Sequence, residues 1–181
     1  MDALTALRTR RSIRRYTAAP VADAAVTECL RAAMSAPSAG NQQPWQFIVI
    51  RDRALREAIP TFHPFADMVP NAPVAILVCG DLDRERYAGY WVQDCAAATQ
   101  NLLLAAHAQG LGAVWVGVYP KEDRVARLQA LCGLPARVIP FALVPLGVPG
   151  ERLAAVDRFD AARVHQDRWP TARPGRPPSG A

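Results

Sequence analysis

A long helix near the middle of the sequence is the strongest constraint on the fold. From about Tyr87 to Gln109 there is no proline, and after Gly89 there is no residue that would break a helix. Small or apolar side chains cover nearly every face of this segment: Ala96, Ala97, Ala98, Leu102, Leu103, Leu104, Ala105 and Ala106. A helix that is apolar all round is a buried helix. This segment must therefore be covered by its own domain or by a partner chain.

The length of the chain leaves room for one domain around this helix. It has 181 residues, of which 51% are apolar and 20% charged, and this composition is typical of a globular protein with a sizeable core. We expect one domain over residues 1–169 and a disordered tail over residues 170–181, where four prolines and two glycines leave little to pack. The sequence contains neither a membrane-length apolar run nor a basic, apolar leader, and we expect a cytoplasmic protein.

Alternating and continuous apolar runs predict a sheet beside the helix. The expected strands are Trp45–Ile50, Val74–Cys79, Ala113–Val118 and Val138–Leu146, and the other expected helices are Asp2–Arg8, Val21–Ser35 and Glu122–Leu131. Pro140 and Pro145 favour an edge or bulged position for the last strand. Residues 60–70 are expected to form helical turns and loop. This order of elements indicates an α+β or α/β sandwich with helices covering a sheet.

The four cysteines, Cys29, Cys79, Cys95 and Cys132, show no metal-binding spacing. Three of them fall within apolar segments, so we expect buried, reduced thiols and no metal site.

An arginine cluster near the N-terminus is the first candidate for function. Arg8, Arg10, Arg11, Arg14 and Arg15 lie within eight residues together with Ser12, and all but one of the 21 basic residues of the chain are arginine. Guanidinium groups bind phosphate oxygens through two parallel hydrogen bonds. A solvated basic face, a nucleic-acid-binding arm and a mononucleotide phosphate site remain open. A nucleic-acid-binding groove needs a longer stripe of positive charge than this cluster supplies. The sequence also contains none of the motifs that mark nucleic-acid-binding domains.

Two further segments could contact a ligand. Small residues and three amides occupy the loop Pro37-Ser38-Ala39-Gly40-Asn41-Gln42-Gln43-Pro44-Trp45, which could approach a flat ring or could be a plain helix-to-strand turn. The segment Gly110 to Gly117 is not a dinucleotide fingerprint, because its glycines follow a helix and open a strand. Gly110 and Gly112 suit a helix-to-strand turn, whereas Gly117, at the far end of the strand, suits close backbone contact with a flat ligand.

Together these segments resemble the nitroreductase family of FMN-dependent NAD(P)H oxidoreductases in its compact bacterial form. The matching stretches are Arg10 to Tyr16, Ala36 to Val49, Gly110 to Gly117, Asp157-Arg158 and Val164-His165, in the order and spacing of the family. The resemblance runs from about Leu4 to Trp169. It implies an α+β sandwich with a mainly antiparallel central sheet covered by helices, in an intertwined homodimer with FMN at the subunit interface.

The resemblance also implies the binding residues. Arg10, Arg11, Ser12 and Arg14 would hold the phosphate and the pyrimidine edge of FMN, with Arg158 as a late basic residue on the phosphate unless it is a solvated tail arginine. Pro37, Ser38 and Asn41 would reach the flavin of the other subunit. Trp115, Val116 and Gly117 would lie along the isoalloxazine ring.

A flavin makes catalytic side chains unnecessary, since the cofactor itself carries the hydride from NADH or NADPH to an oxidised acceptor. We therefore expect no catalytic residue, no chemical role for His63, His107 or His165, and ping-pong kinetics. Nitroaromatics, quinones, enones and free flavins are all conceivable acceptors, because residues 60–70, which should cap the flavin, form a short segment. A flavin-binding or regulatory protein without turnover is the alternative. We expect neither nucleic-acid nor membrane partners.

Overall fold

The computed structural model describes residues 1–169, so the expected disordered tail at 170–181 lies outside the described residues. The helices are α1 (Ala3–Thr9), α2 (Asp23–Met34), α3 (Arg53–Ala58), α4 (Trp91–Ala108) and α5 (Glu122–Cys132). The strands are β1 (Trp45–Ile50), β2 (Val74–Asp81), β3 (Gly112–Ala113), β4 (Val116–Gly117) and β5 (Val138–Gly147). Within the described residues, no helix is both long enough and apolar enough to span a bilayer.

The five strands form one open sheet in the order β1-β2-β5-β3, with β4 also paired to β5. All of these pairings are antiparallel. The mainly antiparallel sheet covered by helices, implied by the family resemblance, is thus confirmed, and the α/β alternative does not apply.

The last strand was expected at an edge or in a bulged position, and the bulged alternative is confirmed. β5 is bordered by β2 on one side and by β3 and β4 on the other, so it is a central strand and not an edge strand. The expected bulge is present, because the register shifts between Val78 and Cys79 and leaves Phe141 as the extra residue of β5. This bulge lets Pro140, which lacks an N–H, lie inside the sheet.

The expected strand 113–118 is also different from the prediction. It divides into β3 and β4, because the pairing with β5 lapses at Val114 and Trp115. Helix α3, capped by the Asp52 carboxylate on the Leu55 N–H at 3.1 Å, was not predicted. Residues 59–61 and 69–71 form 3₁₀ turns, as expected for this segment.

The core lies on both faces of the sheet, and β2 supplies both halves. Its even-numbered residues, such as Ile76, join the cluster under α2 and α4, and its odd-numbered residues, such as Leu77, join the cluster under α5. A strand buried on both faces reads as a continuous apolar run, which is how β2 was recognised.

The central helix is covered largely by its own chain. α4 packs on α2 and on the sheet, and of its residues only Gln93 and Ala108 are exposed. The chain itself therefore covers most of α4 and leaves apolar residues such as Val92 and Leu104 half-buried.

The four cysteines are free thiols, as expected, and Cys29, Cys79 and Cys95 are buried. Burial raises the pKa of Cys29 to about 11 and that of Cys79 to about 12, so both stay protonated at neutral pH.

Candidate functional site

The arginine-rich segment is attached to the edge of the sheet at β3. Ser12 forms a parallel bridge with Ala113, and the Ile13 N–H donates to the Ala113 carbonyl at 3.0 Å. A Cβ atom at Gly112 would lie 2.6 Å from Cγ2 of Ile13, so only glycine allows this close approach. The glycine that ends the helix-to-strand turn thus also positions the arginines.

The arginine-rich segment is also attached to the part of the chain that follows β5. One carboxylate oxygen of Glu151 accepts the backbone N–H groups of Arg14 at 2.7 Å and Arg15 at 3.1 Å. These hydrogen bonds, that of Arg14 first, lower the pKa of Glu151 and keep it charged. The Tyr16 hydroxyl donates to the Ile13 carbonyl at 2.8 Å, and burial raises the pKa of Tyr16 well above its usual value. The main chain of the segment is therefore held on both sides.

The side chains of this segment line a cleft of about 270 Å³. Its walls are Arg10, Arg11, Ser12, Arg14, Leu153 and Arg158. Arg158, distant in sequence, thus lies beside the cluster, and Arg11 donates to the nearby Ala154 carbonyl.

The arginine side chains of this cleft are not matched by carboxylate partners among the described residues. Within residues 1–169, none of the four arginines of the cleft forms an ion pair. Burial, followed by repulsion from Arg158 and Arg11, lowers the pKa of Arg10. Since like charges held together are unfavourable unless an anion joins them, this cleft is suited to a phosphate. Within the same residues, no group of His, Cys, Asp and Glu is arranged to hold a metal ion.

A second cleft, of about 450 Å³, adjoins the first at Arg14, which lines both. Its other walls are Pro64, Phe65, Asp67, Met68, Val114, Trp115, Val116, Gly117 and Arg124. Gly117 is exposed there, and a Cβ atom added to it would meet nothing within 4 Å. The space over the end of β4 is therefore open to a flat ligand.

A buried histidine holds the end of β4 in place. His63 is fully buried, its Nδ1 lies 3.3 Å from the Phe65 nitrogen, and its Nε2 lies 2.9 Å from the Gly117 oxygen. Because the Phe65 N–H can only donate, Nδ1 accepts, and Nε2 carries the proton that it donates to the Gly117 carbonyl. The same carbonyl accepts from Nη1 of Arg124 at 3.1 Å.

Sequence reasoning missed this arrangement. No motif marks His63 or Arg124, and both reach Gly117 only because β4, α5 and the 59–71 segment meet in three dimensions. His63 is not among the residues that line the second cleft.

The second candidate loop lies elsewhere on the chain. The buried Asp94 carboxylate accepts the Ala39 N–H at 2.9 Å and Nε2 of Gln42 at 2.6 Å, which fixes the loop against the first turn of α4. Gly40 and Asn41 both adopt positive φ, and a Cβ atom at Gly40 would overlap the Tyr87 ring. These contacts hold the loop in one defined conformation.

One chain does not bring the two candidate regions together. The arginine segment follows Thr9, whose hydroxyl oxygen lies 2.8 Å from Nε2 of His107 in the last turn of α4. Asp94 and His107 are at opposite ends of that helix, about 20 Å apart at 1.5 Å per residue. Of the predicted binding residues, Pro37, Ser38 and Asn41 line neither cleft.

These features define an α+β protein with a helix-covered antiparallel sheet, a cationic cleft and an aromatic-walled cleft, with Arg14 in the wall of both. The chain belongs to the nitroreductase family, whose family model matches residues 7–63 and 63–148.

Individual relatives support this assignment. A candidate NADH dehydrogenase/NAD(P)H nitroreductase of Methanothermobacter thermautotrophicus is 52% identical over 169 residues, covering 93% of this chain and 88% of that protein. The crystal structure of a candidate NADH oxidase from Clostridium acetobutylicum has a TM-score of 0.87 at 41% identity, covering 91% of this chain and 99% of that one. A candidate nitroreductase from Desulfovibrio desulfuricans, solved in complex with FMN, has a TM-score of 0.81 at 36% identity, covering 94% and 99%.

Proposed function

We propose that this protein is an FMN-dependent oxidoreductase that transfers a hydride from NADH or NADPH to an oxidised small molecule. The observation that carries the proposal is that Arg14 lines two clefts, one surrounded by four arginines and the other walled by Phe65 and Trp115. FMN has the matching parts, a phosphate at one end and a planar ring at the other. The FMN complex of the Desulfovibrio relative and the NAD(P)H-linked name of the Methanothermobacter relative support the same reading.

The residues of the clefts fit this cofactor. Arg10, Arg11, Ser12, Arg14 and Arg158 supply the charged and hydroxyl donors that a phosphate monoester needs. Trp115, Val116 and Gly117 offer backbone and an aromatic face along the open space of the second cleft.

FMN, when bound, supplies a two-electron carrier able to take a hydride from a nicotinamide and pass it on. The chain holds it and places positive charge beside the site where negative charge develops during the reaction. His63 keeps the end of β4 rigid through its hydrogen bond to Gly117. We assign no side chain as a general acid or base.

The donor and the acceptor would use the same cleft in turn, which gives ping-pong kinetics. Nitroaromatics, quinones, enones and flavins are the acceptor classes that fit a flat, open cleft. Parallel double-reciprocal plots are the expected result, and intersecting plots with a demonstrable ternary complex would contradict the shared cleft.

We further propose a homodimer in which Pro37, Ser38 and Asn41 of one subunit reach the FMN of the other. The distance of about 20 Å along α4 between the attachments of the two regions supports this, because a second chain would bring the loop of one subunit to the clefts of the other. Exposed apolar side chains also support a dimer. Phe159 is 78% exposed and Trp169 71% exposed, and Leu4 and Leu7 of α1 are exposed as well. A stable monomer in sedimentation that retains FMN would contradict the proposal.

A single preparation tests the enzyme proposal. The purified protein should absorb in the visible flavin band, lose that absorbance on addition of NADH or NADPH under anaerobic conditions, and recover it with an acceptor. A protein that binds FMN but is not bleached by either nucleotide would be the flavin-binding alternative, and a colourless protein that does not rebind FMN would overturn the proposal. We infer one FMN-binding domain over residues 1–169, and a cytoplasmic setting because that is where NADH and NADPH are available.

A further inference from the structure

A cation is fixed in the wall of the second cleft. Arg124, on the first turn of α5, places its guanidinium carbon 5.5 Å from the centroid of the Phe65 ring. Its Nη1 donates to the Gly117 carbonyl at 3.1 Å. Two contacts of different kinds, one cation–π and one hydrogen bond, thus hold the side chain in one place.

This cation keeps unused binding capacity. Within residues 1–169, Arg124 forms no ion pair and donates a hydrogen bond only to Gly117, which leaves further N–H groups of its guanidinium available. The charged residues that line this cleft are Arg14, Asp67 and Arg124, so the cleft carries a net positive charge. Arg14 also lines the first, arginine-rich cleft, whereas Arg124 does not.

We propose that Arg124 is a specificity residue that selects acceptors with an anionic group on a flat aromatic ring. This inference rests on the proposed function and names the substrate class of the same site. Phe65 and Trp115 supply aromatic faces for the ring, and a guanidinium already held in place loses little entropy when it binds a carboxylate. A neutral ring of the same shape would gain the stacking but not the charge-assisted hydrogen bonds.

The test compares two acceptors of nearly equal shape, 4-nitrobenzoate and 4-nitrobenzamide. Their dissociation constants are first measured on the FMN-loaded protein without any nucleotide, and kcat/KM is then measured with NADH and with NADPH. The variants are Arg124→Gln and Arg124→Lys. The matched control is Arg127→Gln, which removes an exposed arginine from the same helix that does not line the cleft.

The wild-type protein should bind and reduce the benzoate in preference to the amide. Arg124→Gln should weaken benzoate binding and lower its kcat/KM by about tenfold, the effect of losing one partly exposed charged contact, while the amide changes by less than about twofold. Arg124→Lys should fall between, because it keeps the charge but loses the planar fork. Arg127→Gln should match the wild type.

Several results would overturn the inference. One is a wild-type protein without preference for the benzoate. Another is an equal loss for both acceptors in Arg124→Gln, which would make Arg124 only a support for Gly117. A third is a change confined to the KM of NADH or NADPH, which would assign the cation to the donor. Because the binding comparison uses no nucleotide, a failure of flavin reduction would contradict the proposed function separately. If Arg124→Gln does not fold, the wild-type preference and Arg124→Lys still decide the matter.

Discussion

The same substitution at two glycines, Gly117→Ala and Gly112→Ala, should weaken FMN binding in both cases but destabilise the fold only at Gly112. At Gly117 the added methyl group meets nothing within 4 Å of the protein, and the backbone there is not in the left-handed region. The free energy of unfolding without FMN should therefore change by less than about 0.5 kcal/mol. If the flavin ring lies over the end of β4, the methyl group occupies its space, and such overpacking costs about 1–3 kcal/mol of binding free energy. The dissociation constant of FMN should rise about fivefold to 150-fold.

At Gly112 the methyl group meets the protein itself. The added Cβ would lie 2.6 Å from Cγ2 and 2.9 Å from Cβ of Ile13, and this β-branched side chain has little freedom to turn away. The segment that carries the arginines must then shift from β3. We expect Gly112→Ala to lower the free energy of unfolding by about 1–3 kcal/mol even without FMN, and to weaken FMN binding as well.

The assay is urea unfolding of each variant at one protein concentration, with and without FMN, together with titration of FMN fluorescence. Gly117→Ala should unfold like the wild type without FMN and gain less stability when FMN is added, since stabilisation by a ligand follows its affinity. Wild-type FMN affinity in Gly117→Ala would refute the placement of the ring over β4. Unchanged unfolding of Gly112→Ala would refute the tight contact between β3 and the arginine segment.

Three further predictions concern single side chains. Arg14→Ala should weaken FMN binding by about 1.5–3 kcal/mol in fluorescence titration, because a charged hydrogen bond is lost, whereas Arg31→Ala, at an exposed α2 position paired with Glu28, should leave it unchanged. Burial, with a smaller contribution from a neighbouring arginine, lowers the pKa of His107. The unfolded chain therefore takes up a proton on His107 more readily than the folded chain. The free energy of unfolding should fall as pH drops below about 6.5. In urea titrations at several pH values, His107→Gln should show a weaker dependence of this free energy on pH. His63→Ala should lower the free energy of unfolding by about 1–3 kcal/mol, because it empties a fully buried site and removes the hydrogen bonds to Phe65 and Gly117, yet slow flavin reduction in stopped flow by less than about tenfold; a larger kinetic loss would make this residue a catalyst.

Local sequence patterns predicted the parts of this fold that depend on local burial. The run from Val74 to Cys79 was recognised as a strand because both faces of β2 pack against core. The helix through Leu102 was recognised because apolar residues recur around it, and the arginine cluster because its members are neighbours in the chain. Each of these signals is carried by residues within one element, so no long-range contact is needed to read it.

Long-range pairing was decided only by the tertiary structure. The prolines of β5 indicated an edge or a bulged position, and only the pairing with β2, β3 and β4 showed that the strand is central and contains the bulge. Periodicity reports whether a residue is buried, but not which strand lies beside it.

The same limit applies to the site. The sequence by itself determined which groups could bind phosphate and that Gly117 ends a strand. Only the tertiary structure showed that Arg158 joins the arginine cleft, that His63 and Arg124 converge on one carbonyl, and that the loop carrying Asn41 lies at the far end of α4 from the arginines. These neighbours come from distant parts of the chain, and their meeting depends on how helices and strands pack, which no local spacing records.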